Sequence, residues 1–120
     1  MTDLGTLGRF YSYARGINDS GQVVGFSGTV TLGGGPHAFI TGPNGIGMTD
    51  LGTLGGDISY AYGINDSGQV VGHSEGGRGD DAFITGPNGI GMTDLGALSG
   101  FQSNALGVND SGQVVGFFDR

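Results

Sequence analysis

The sequence contains no cysteine and no lysine, and only 12% of its 120 residues are charged. Without cysteine there is neither a disulfide framework nor a thiolate metal site, and the redox compartment stays undetermined because many secreted repeat proteins also lack cysteine. Long helices are not expected, because there are too few charged residues to form their solvent-exposed faces. No apolar run is long enough to cross a bilayer and no export signal is recognisable, so we expect no membrane insertion.

The charge balance argues against a nucleic-acid partner. The formal net charge is -7 at pH 7. The few arginines are scattered along the chain instead of forming a basic stripe that would attract a phosphate backbone. These are Arg9, Arg15, Arg78 and Arg120.

Glycine is the most informative residue that is present. There are 29 glycines beside a hydrophobic content of 36%. This composition predicts a small globular domain with a thin core, in which tight turns and closely approaching backbones dominate.

An internal repeat organises the whole chain. The pentapeptide Met-Thr-Asp-Leu-Gly begins at Met1, Met48 and Met92, and the block Asn-Asp-Ser-Gly-Gln-Val-Val-Gly occurs once in each copy. We therefore divide the single domain, residues 1–120, into repeats 1–47, 48–91 and 92–120, of which the last is incomplete.

Each full copy reads as four short strands joined by turns. We name them a (61–65), b (69–74), c (82–85) and d (92–98), so that the chain runs d, abcd, abcd, ab. The Asn-Asp-Ser-Gly turn predicts an a–b hairpin whose glycine takes the left-handed position, and Pro-Asn-Gly predicts the c–d reversal. Gly25, Gly72 and Gly116 are expected to let neighbouring sheets pack at close range.

This repeat length favours an all-β fold built from β-propeller blades. Four antiparallel strands in about 45 residues match one blade, and the chain holds about three blades. The alternative is a monomeric threefold β-trefoil, which three repeats of about 40 residues would also suit.

Three motifs resemble the HAF family of extracellular repeats. They are Asp-Leu-Gly-Thr-Leu-Gly-Gly at 50–56, Gly-Ile-Asn-Asp-Ser-Gly-Gln-Val-Val-Gly at 63–72, and His37-Ala38-Phe39. The resemblance implies an extracellular or cell-surface repeat protein of propeller type, with no established catalytic residues. The sequence departs from the pattern at Asp81, which stands where the other copy has His37.

Unlike strand edges at the two ends predict self-assembly. An open edge is a template for pairing with another chain, and head-to-tail contacts close into a ring when the rotation per subunit divides the circle. We expect a homodimer of roughly six blades. The predicted assembly edges are Met1, Thr2, Asp3 and Leu4 at one end, and Gln113, Val114, Val115 and Phe117 at the other.

No constellation for catalysis is recognisable. No serine has a histidine and a carboxylate in a recurring pattern, no phosphate-binding loop opens a helix, and Glu75 is the only glutamate. We therefore expect no enzyme activity, no catalytic residues and no cofactor, and the near identity of the copies suggests recent amplification, an excised fragment or deliberate design.

Several acidic residues are candidates for metal binding. Asp19, Asp66 and Asp110, each beside an asparagine, have ligand types that calcium accepts, but the same residues commonly cap tight turns. A second set, Asp3, Asp50 and Asp94, forms either a carboxylate ring or hydrogen bonds at strand ends. His37 and His73 are too few for a zinc site.

The aromatic residues before and within strand a support a second hypothesis. Exposed rings there can stack on a sugar, which would make the chain a carbohydrate-binding surface module; alternatively they wedge between blades. Arg78-Gly79-Asp80 matches an adhesion tripeptide, so a surface protein is a further partner class. The ligand-binding candidates are Tyr11, Tyr13, Tyr60, Tyr62 and Phe101.

Overall fold

The computed structural model describes residues 4–29, 35–76, 79–95 and 102–119, and its strands form three antiparallel sheets. The first sheet contains β1 (Gly8–Ile17), β2 (Val23–Thr29), β3 (His37–Thr41) and β4 (Met48–Gly52). The second contains β5 (Ser59–Ile64), β6 (Val70–Gly76), β7 (Gly79–Thr85) and β8 (Met92–Asp94). The third contains β9 (Gln102–Val108) and β10 (Val114–Asp119).

The predicted all-β fold and the order abcd, abcd, ab are confirmed. In each sheet the strands pair in chain order, as hairpin-linked meanders do. The strand boundaries differ by a few residues from those predicted, most clearly in β7, which begins at Gly79 and not at Ala82. The leading d strand falls largely on residues 1–3, outside the described residues, as does the end of the d strand after Leu95.

The two turn types follow from residues that tolerate the left-handed region. In the a–b turns, Gly21, Gly68 and Gly112 have φ of 80°, 83° and 80°, as the predicted turn requires. In the Pro-Asn-Gly turns, Asn44 and Asn88 also have positive φ, at 62° and 60°. Asparagine accepts this conformation more readily than most residues, so both turns close tightly.

The expected role of one glycine set is wrong. A Cβ atom at Gly25, Gly72 or Gly116 would overlap a main-chain carbonyl of strand a in the same sheet, and would not meet a neighbouring sheet. The residues are adjacent to a β-bulge, where the a–b register shifts. Glycines of strand a are the ones at which sheets meet: a Cβ at Gly63 would lie 3.3 Å from the Cα of Gly107.

Strand a of each following sheet lies across the preceding sheet. β5 contacts β1, β2 and β3, and β9 contacts β5, β6 and β7, whereas the outer strands β4 and β8 make no comparably extensive contact with another sheet. The described chain is flat, with principal extents of 42 × 38 × 20 Å. The three sheets are therefore stacked in chain order, and no sheet closes on itself among the described residues.

Small apolar and hydroxyl side chains join the sheets. Between the first and second sheets, Val24, Ala38 and Ile40 pack with Ala61 and Val70. Between the second and third, the buried residues are Val71, Ala82 and Ala105. The Ser59 hydroxyl accepts a hydrogen bond from the Ala38 N–H at 2.8 Å, and Ser103 does the same from Ala82 at 2.7 Å. Each sheet is thus fixed to strand c of the preceding one.

Candidate functional site

The a–b turns of successive repeats are joined by hydrogen bonds into what we call the turn ladder, formed by Asn18, Asp19, Asn65, Asp66, Asn109 and Asp110. The Asn18 Nδ2 donates to the Asn65 carbonyl oxygen at 3.0 Å, and the Asp19 N–H donates to Asp66 Oδ1 at 3.0 Å. The next step is the same: Asn65 Nδ2 donates to the Asn109 carbonyl at 2.9 Å, and the Asp66 N–H to Asp110 Oδ1 at 2.9 Å.

Each ladder asparagine also caps its own turn. Asn65 Oδ1 accepts from the main-chain N–H groups of Ser67 and Gln69, at 3.1 and 2.9 Å. Its Nδ2 donates to Gln69 Oε1 at 2.8 Å as well as to the next repeat. One side chain therefore sets both the turn and the stacking, which explains why an asparagine stands at this position in every copy.

The ladder aspartates are the residues considered above as calcium candidates. The pKa of Asp19 is raised, first by its side-chain hydrogen bond with Asp66 and then by the repulsion of that carboxylate. The carboxylates of Asp66 and Asp110 accept main-chain N–H groups of the preceding turn. Across the described part of the chain, no group of three or more His, Cys, Asp or Glu side chains is arranged to hold a metal ion.

The c–d strand pair carries a second polar contact that differs between copies. In the first sheet the His37 Nδ1 lies 2.9 Å from Asp50 Oδ2. In the second sheet Asp81 replaces the histidine, and its pKa is raised, first by burial and then by a side-chain hydrogen bond with Asp94. An attractive pair in one sheet thus corresponds to a carboxyl pair in the next.

Rings from the first two sheets form a continuous row, which we call the aromatic strip: Tyr11, Tyr13, Phe26, Tyr60, Tyr62 and His73. Successive ring centroids lie 5.8 Å (Tyr11 to Tyr13), 5.1 Å (Tyr13 to Phe26) and 4.6 Å (Phe26 to Tyr60) apart. Tyr60 then lies 6.5 Å from Tyr62, whose ring is nearly parallel to it. Phe26 and Tyr60 meet edge to face, a favourable aromatic geometry, and this contact connects the first sheet to the second.

The strip is partly covered and partly open. Tyr11 and Tyr13 are 41% and 54% exposed. Burial is the first cause that raises the pKa of Tyr60 and of Tyr62, so both phenols keep their protons at neutral pH. The Arg15 guanidinium lies 5.4 Å from the centre of the Phe26 ring.

Two buried polar atoms beside Tyr62 lack a hydrogen-bond partner among the described residues. They are His73 Nδ1 and Asn104 Oδ1. The His73 ring centroid is 5.5 Å from that of Tyr62, and Asn104 forms a side-chain hydrogen bond that lowers the pKa of the Tyr62 phenol. Buried groups of this kind are uncommon and call for a specific reason.

The three copies differ on this strip as well as in the b–c loops and at the His37 position. Tyr13, Tyr60 and Asn104 occupy one repeat position, and Phe26, His73 and Phe117 occupy the position that pairs with it. On the other face of strand a, serine and alanine are identical in all copies: Ser12, Ser59 and Ser103, and Ala14, Ala61 and Ala105. Strand a therefore alternates a uniform packing face with a varied aromatic face.

Four of the five predicted ligand-binding residues lie together in the strip: Tyr11 and Tyr13 in β1, and Tyr60 and Tyr62 in β5. The fifth, Phe101, lies outside the described residues, as do Met1, Thr2, Asp3 and Arg78. The sequence reasoning considered His73 only as a zinc ligand, and it did not place Phe26, His73 or Asn104 with these rings. The usable signal was that their repeat positions are not occupied by one residue type in all three copies.

The fold and the ladder define an all-β repeat protein of stacked antiparallel sheets. The chain matches no family model, no curated protein and no solved structure at a significant level. No helix in the described ranges is long and apolar enough to cross a membrane.

Proposed function

We propose that this chain is a non-catalytic β-propeller scaffold whose two end faces bind a second copy of the chain, so that the repeats close into a ring. The stacking of three antiparallel sheets in chain order, with strand a of each following sheet packed across the preceding sheet, supports the propeller arrangement. Two chains supply roughly six blades, a common size for a ring. An extracellular or cell-surface location remains part of this proposal through the resemblance to HAF repeats.

The observation that carries the proposal is the burial of one repeated valine. Val24 and Val71 are fully buried, each against the next sheet, but the equivalent Val115 is 67% exposed. Phe117 and Leu106 on the same sheet are 52% and 49% exposed. The third sheet thus presents the surface that the first two sheets use to receive a following repeat.

The first sheet presents the matching surface. Ala61 and Ala105 are buried against a preceding sheet, whereas Ala14 is exposed and Ile17 is 67% exposed. A hollow of about 470 Å³ opens here. Its lining residues are Leu4, Ala14, Ile17, Gly21, Val23, Asn44 and Gly45.

In the second sheet the equivalent hollow is filled. A Cβ at Gly89 would lie 2.7 Å from Leu51 and 3.1 Å from Ile40 of the first sheet, whereas a Cβ at the equivalent Gly45 would meet only Leu4 among the described residues. Leu4 is the counterpart of Leu51, so the open part of the hollow is the place that Ile40 of strand c fills between the first two sheets. Burial of such a side chain stabilises an interface by about 1.5–3 kcal/mol.

The turn ladder supplies complementary polar groups at the two ends. On the third repeat, the Asn109 Nδ2 donates only to Gln113 among the described residues, and the Asp110 N–H points onward without a described partner. On the first repeat, the Asn18 carbonyl and the Asp19 carboxylate are the acceptors that their counterparts use in later copies. Head-to-tail contact would extend the ladder by one more step.

These faces refine the expected assembly edges. Gln113, Val115 and Phe117 are exposed, Val114 is half-buried and β10 has one unpaired edge among the described strands. Leu4 lines the hollow at the opposite end. The proposed contact is consequently face to face between sheets. It uses strands a and b of the third repeat, since no described strand after β10 corresponds to the strand c that supplies Ala38 and Ile40 in the first sheet.

Light scattering after size exclusion tests the proposal. The wild-type chain of 12.0 kDa is expected at twice that mass at about 100 µM, with Val115→Glu monomeric because it places a charge in the contact. Ile90→Glu is the matched control, since Ile90 is 74% exposed and lies on neither end face. It should keep the wild-type mass.

A mixing experiment tests the head-to-tail direction. Ala14→Glu damages the opposite face from Val115→Glu, so each variant keeps one intact surface. Mixed in equal amounts, the two variants should associate again through the one intact pair, whereas each alone stays monomeric. A folded wild-type monomer at about 100 µM, or equal masses for Val115→Glu and wild type, would overturn the proposal and favour the single-chain alternative.

A further inference from the structure

We infer that the aromatic strip is a binding site for a neutral oligosaccharide chain. In the proposed ring, Phe117 of a second copy would contact Tyr13 as Phe26 contacts Tyr60, so binding is also measured on the monomeric chain. Along strand a the copies differ on the side that carries the rings, at the position of Tyr13, Tyr60 and Asn104, and the paired position of strand b carries Phe26, His73 and Phe117. The serine and alanine positions on the opposite side of strand a are the same in every copy. On this strand the ring side is therefore the side on which the copies are not held to one set of side chains.

The chemistry of the strip fits a sugar better than an aliphatic or charged ligand. Tyrosine presents an apolar ring face together with a hydroxyl, and a pyranose likewise has an apolar face rimmed by hydroxyl groups. The row of rings from Tyr11 to Tyr62 has steps of 4.6–6.5 Å and angles between neighbouring ring planes of 14–79°, so it offers several separate ring faces for sugars to contact. An oligosaccharide bound to them would run across the first two sheets.

Polar groups for sugar hydroxyls are grouped around Tyr62. His73 Nδ1 and Asn104 Oδ1 are buried beside it without partners among the described residues. The Asp80 carboxylate is close enough to raise the pKa of both Tyr60 and Tyr62, so it also acts on this region. His73 Nδ1 and Asn104 Oδ1 are buried, so a ligand hydroxyl reaches them only when a neighbouring aromatic side chain changes its rotamer. The expected site is therefore an open stacking surface at Tyr11 and Tyr13 and a closing polar subsite at Tyr62.

The charge pattern argues against other ligand classes. A phosphate or sulfated ligand requires a cluster of cations, and Arg15 is the one described cation near the strip, lying over Phe26 in a chain of net charge -7. An anionic lipid surface is disfavoured for the same reason. A neutral ligand that offers hydroxyl groups matches what is present.

Isothermal titration of the folded chain with maltohexaose, cellohexaose and chitohexaose tests the inference. At least one of these is expected to bind with a Kd between about 10 µM and 1 mM, the range of a small open site. Tyr13→Ala should weaken that binding at least tenfold without unfolding the chain, because Tyr13 is 54% exposed. Tyr60→Phe keeps the ring and removes the hydroxyl, so it should show an intermediate loss.

Ile90→Ala is the control for exposed apolar area away from the strip, and it should leave the affinity unchanged. The titrations are repeated with monomeric Val115→Glu, so that a failure of assembly does not affect the result for binding. No binding of any of the three hexasaccharides at 5 mM (about five times the weakest Kd expected) would overturn the inference. Equal affinity of the wild type, Tyr13→Ala and Tyr60→Phe for the sugar would also overturn it. The same holds if the chain binds neutral phosphatidylcholine vesicles and none of the sugars.

Discussion

The Nδ2 atom of Asn65 lies 2.9 Å from the main-chain oxygen of Asn109, 44 residues further along the chain. Through this bond the turn of one repeat fixes the position of the next. Asn18 makes the same bond to Asn65 at 3.0 Å, so the contact repeats with the sequence. Stability in such arrays resides in the contacts between neighbours as much as in any single unit.

Replacement of Asn65 by aspartate should lower the free energy of unfolding by about 1–3 kcal/mol. The new side chain would keep the oxygen that caps the turn, but it would lose the donor to Asn109 and set a carboxylate against the Gln69 Oε1. Urea unfolding followed by tyrosine fluorescence measures the change, with the substitution made in the monomeric Val115→Glu chain.

Asn109→Asp, made in the same monomeric chain, is the matched control for that substitution. The Asn109 Nδ2 donates to Gln113 within the same turn and to no other described residue, and Asn109 is exposed. The cost of Asn109→Asp should be clearly smaller than that of Asn65→Asp. Equal costs for the two substitutions would show that the bond between repeats adds nothing.

Gly72→Ala should destabilise the second sheet by about 1–3 kcal/mol or more. A methyl group at Gly72 overlaps the Tyr60 carbonyl oxygen at the bulge, so β5 and β6 must separate locally. Gly76→Ala is the control in the same strand, because the nearest atom to its Cβ is 3.7 Å away. Thermal unfolding by circular dichroism should leave Gly76→Ala near the wild-type Tm, and a similar loss in both variants would argue against the bulge as the cause.

Asp81→His should stabilise the second sheet between pH 5 and pH 6 by about 0.5–1 kcal/mol, by reproducing the pair of His37 with Asp50. In the wild type the folded pKa of Asp81 lies above 3.8, so its folded form binds the proton more tightly. Protonated Asp81 therefore contributes to the free energy of unfolding. The contribution is fully present below pH 3.8 and is lost as the pH rises through the folded pKa of Asp81.

The pH dependence of Tm distinguishes the two carboxyl arrangements. The wild type should lose stability relative to Asp81→His as the pH rises from 3.8 through the raised folded pKa of Asp81, and about 0.5 M salt should reduce the gain because the pair is near the surface. His37→Asp is the reciprocal control and should lose stability over the same range. A difference between Asp81→His and wild type that does not vary with pH would contradict this account.

Much of the fold could be predicted because the same hairpin motif occurs in each of the three repeats. One Asn-Asp-Ser-Gly hairpin is a modest indication, but three copies in register predict the same strand order three times. The error over Gly25, Gly72 and Gly116 shows the limit of this reasoning. A glycine within a strand indicates that some backbone approaches closely, but its identity does not say whether the carbonyl belongs to the same sheet or to the next.

The candidate sites were predictable to different degrees for a similar reason. Tyr11, Tyr13, Tyr60 and Tyr62 were recognisable as rings concentrated near strand a. Phe26 and His73 were not, because they join the strip through strand pairing with β1 and β5, and pairing brings together residues distant in sequence.

The all-β composition, the repeat period, the turns and the strand order within each sheet could all be read from the amino acids alone, because they depend on local conformational preference and on alternation along a strand. The bonds between turns, the single row of rings and the exposure of one valine emerged only from the packed sheets. Those properties depend on how one sheet is rotated onto the next, and that rotation is set by packing between residues some 44 to 47 positions apart.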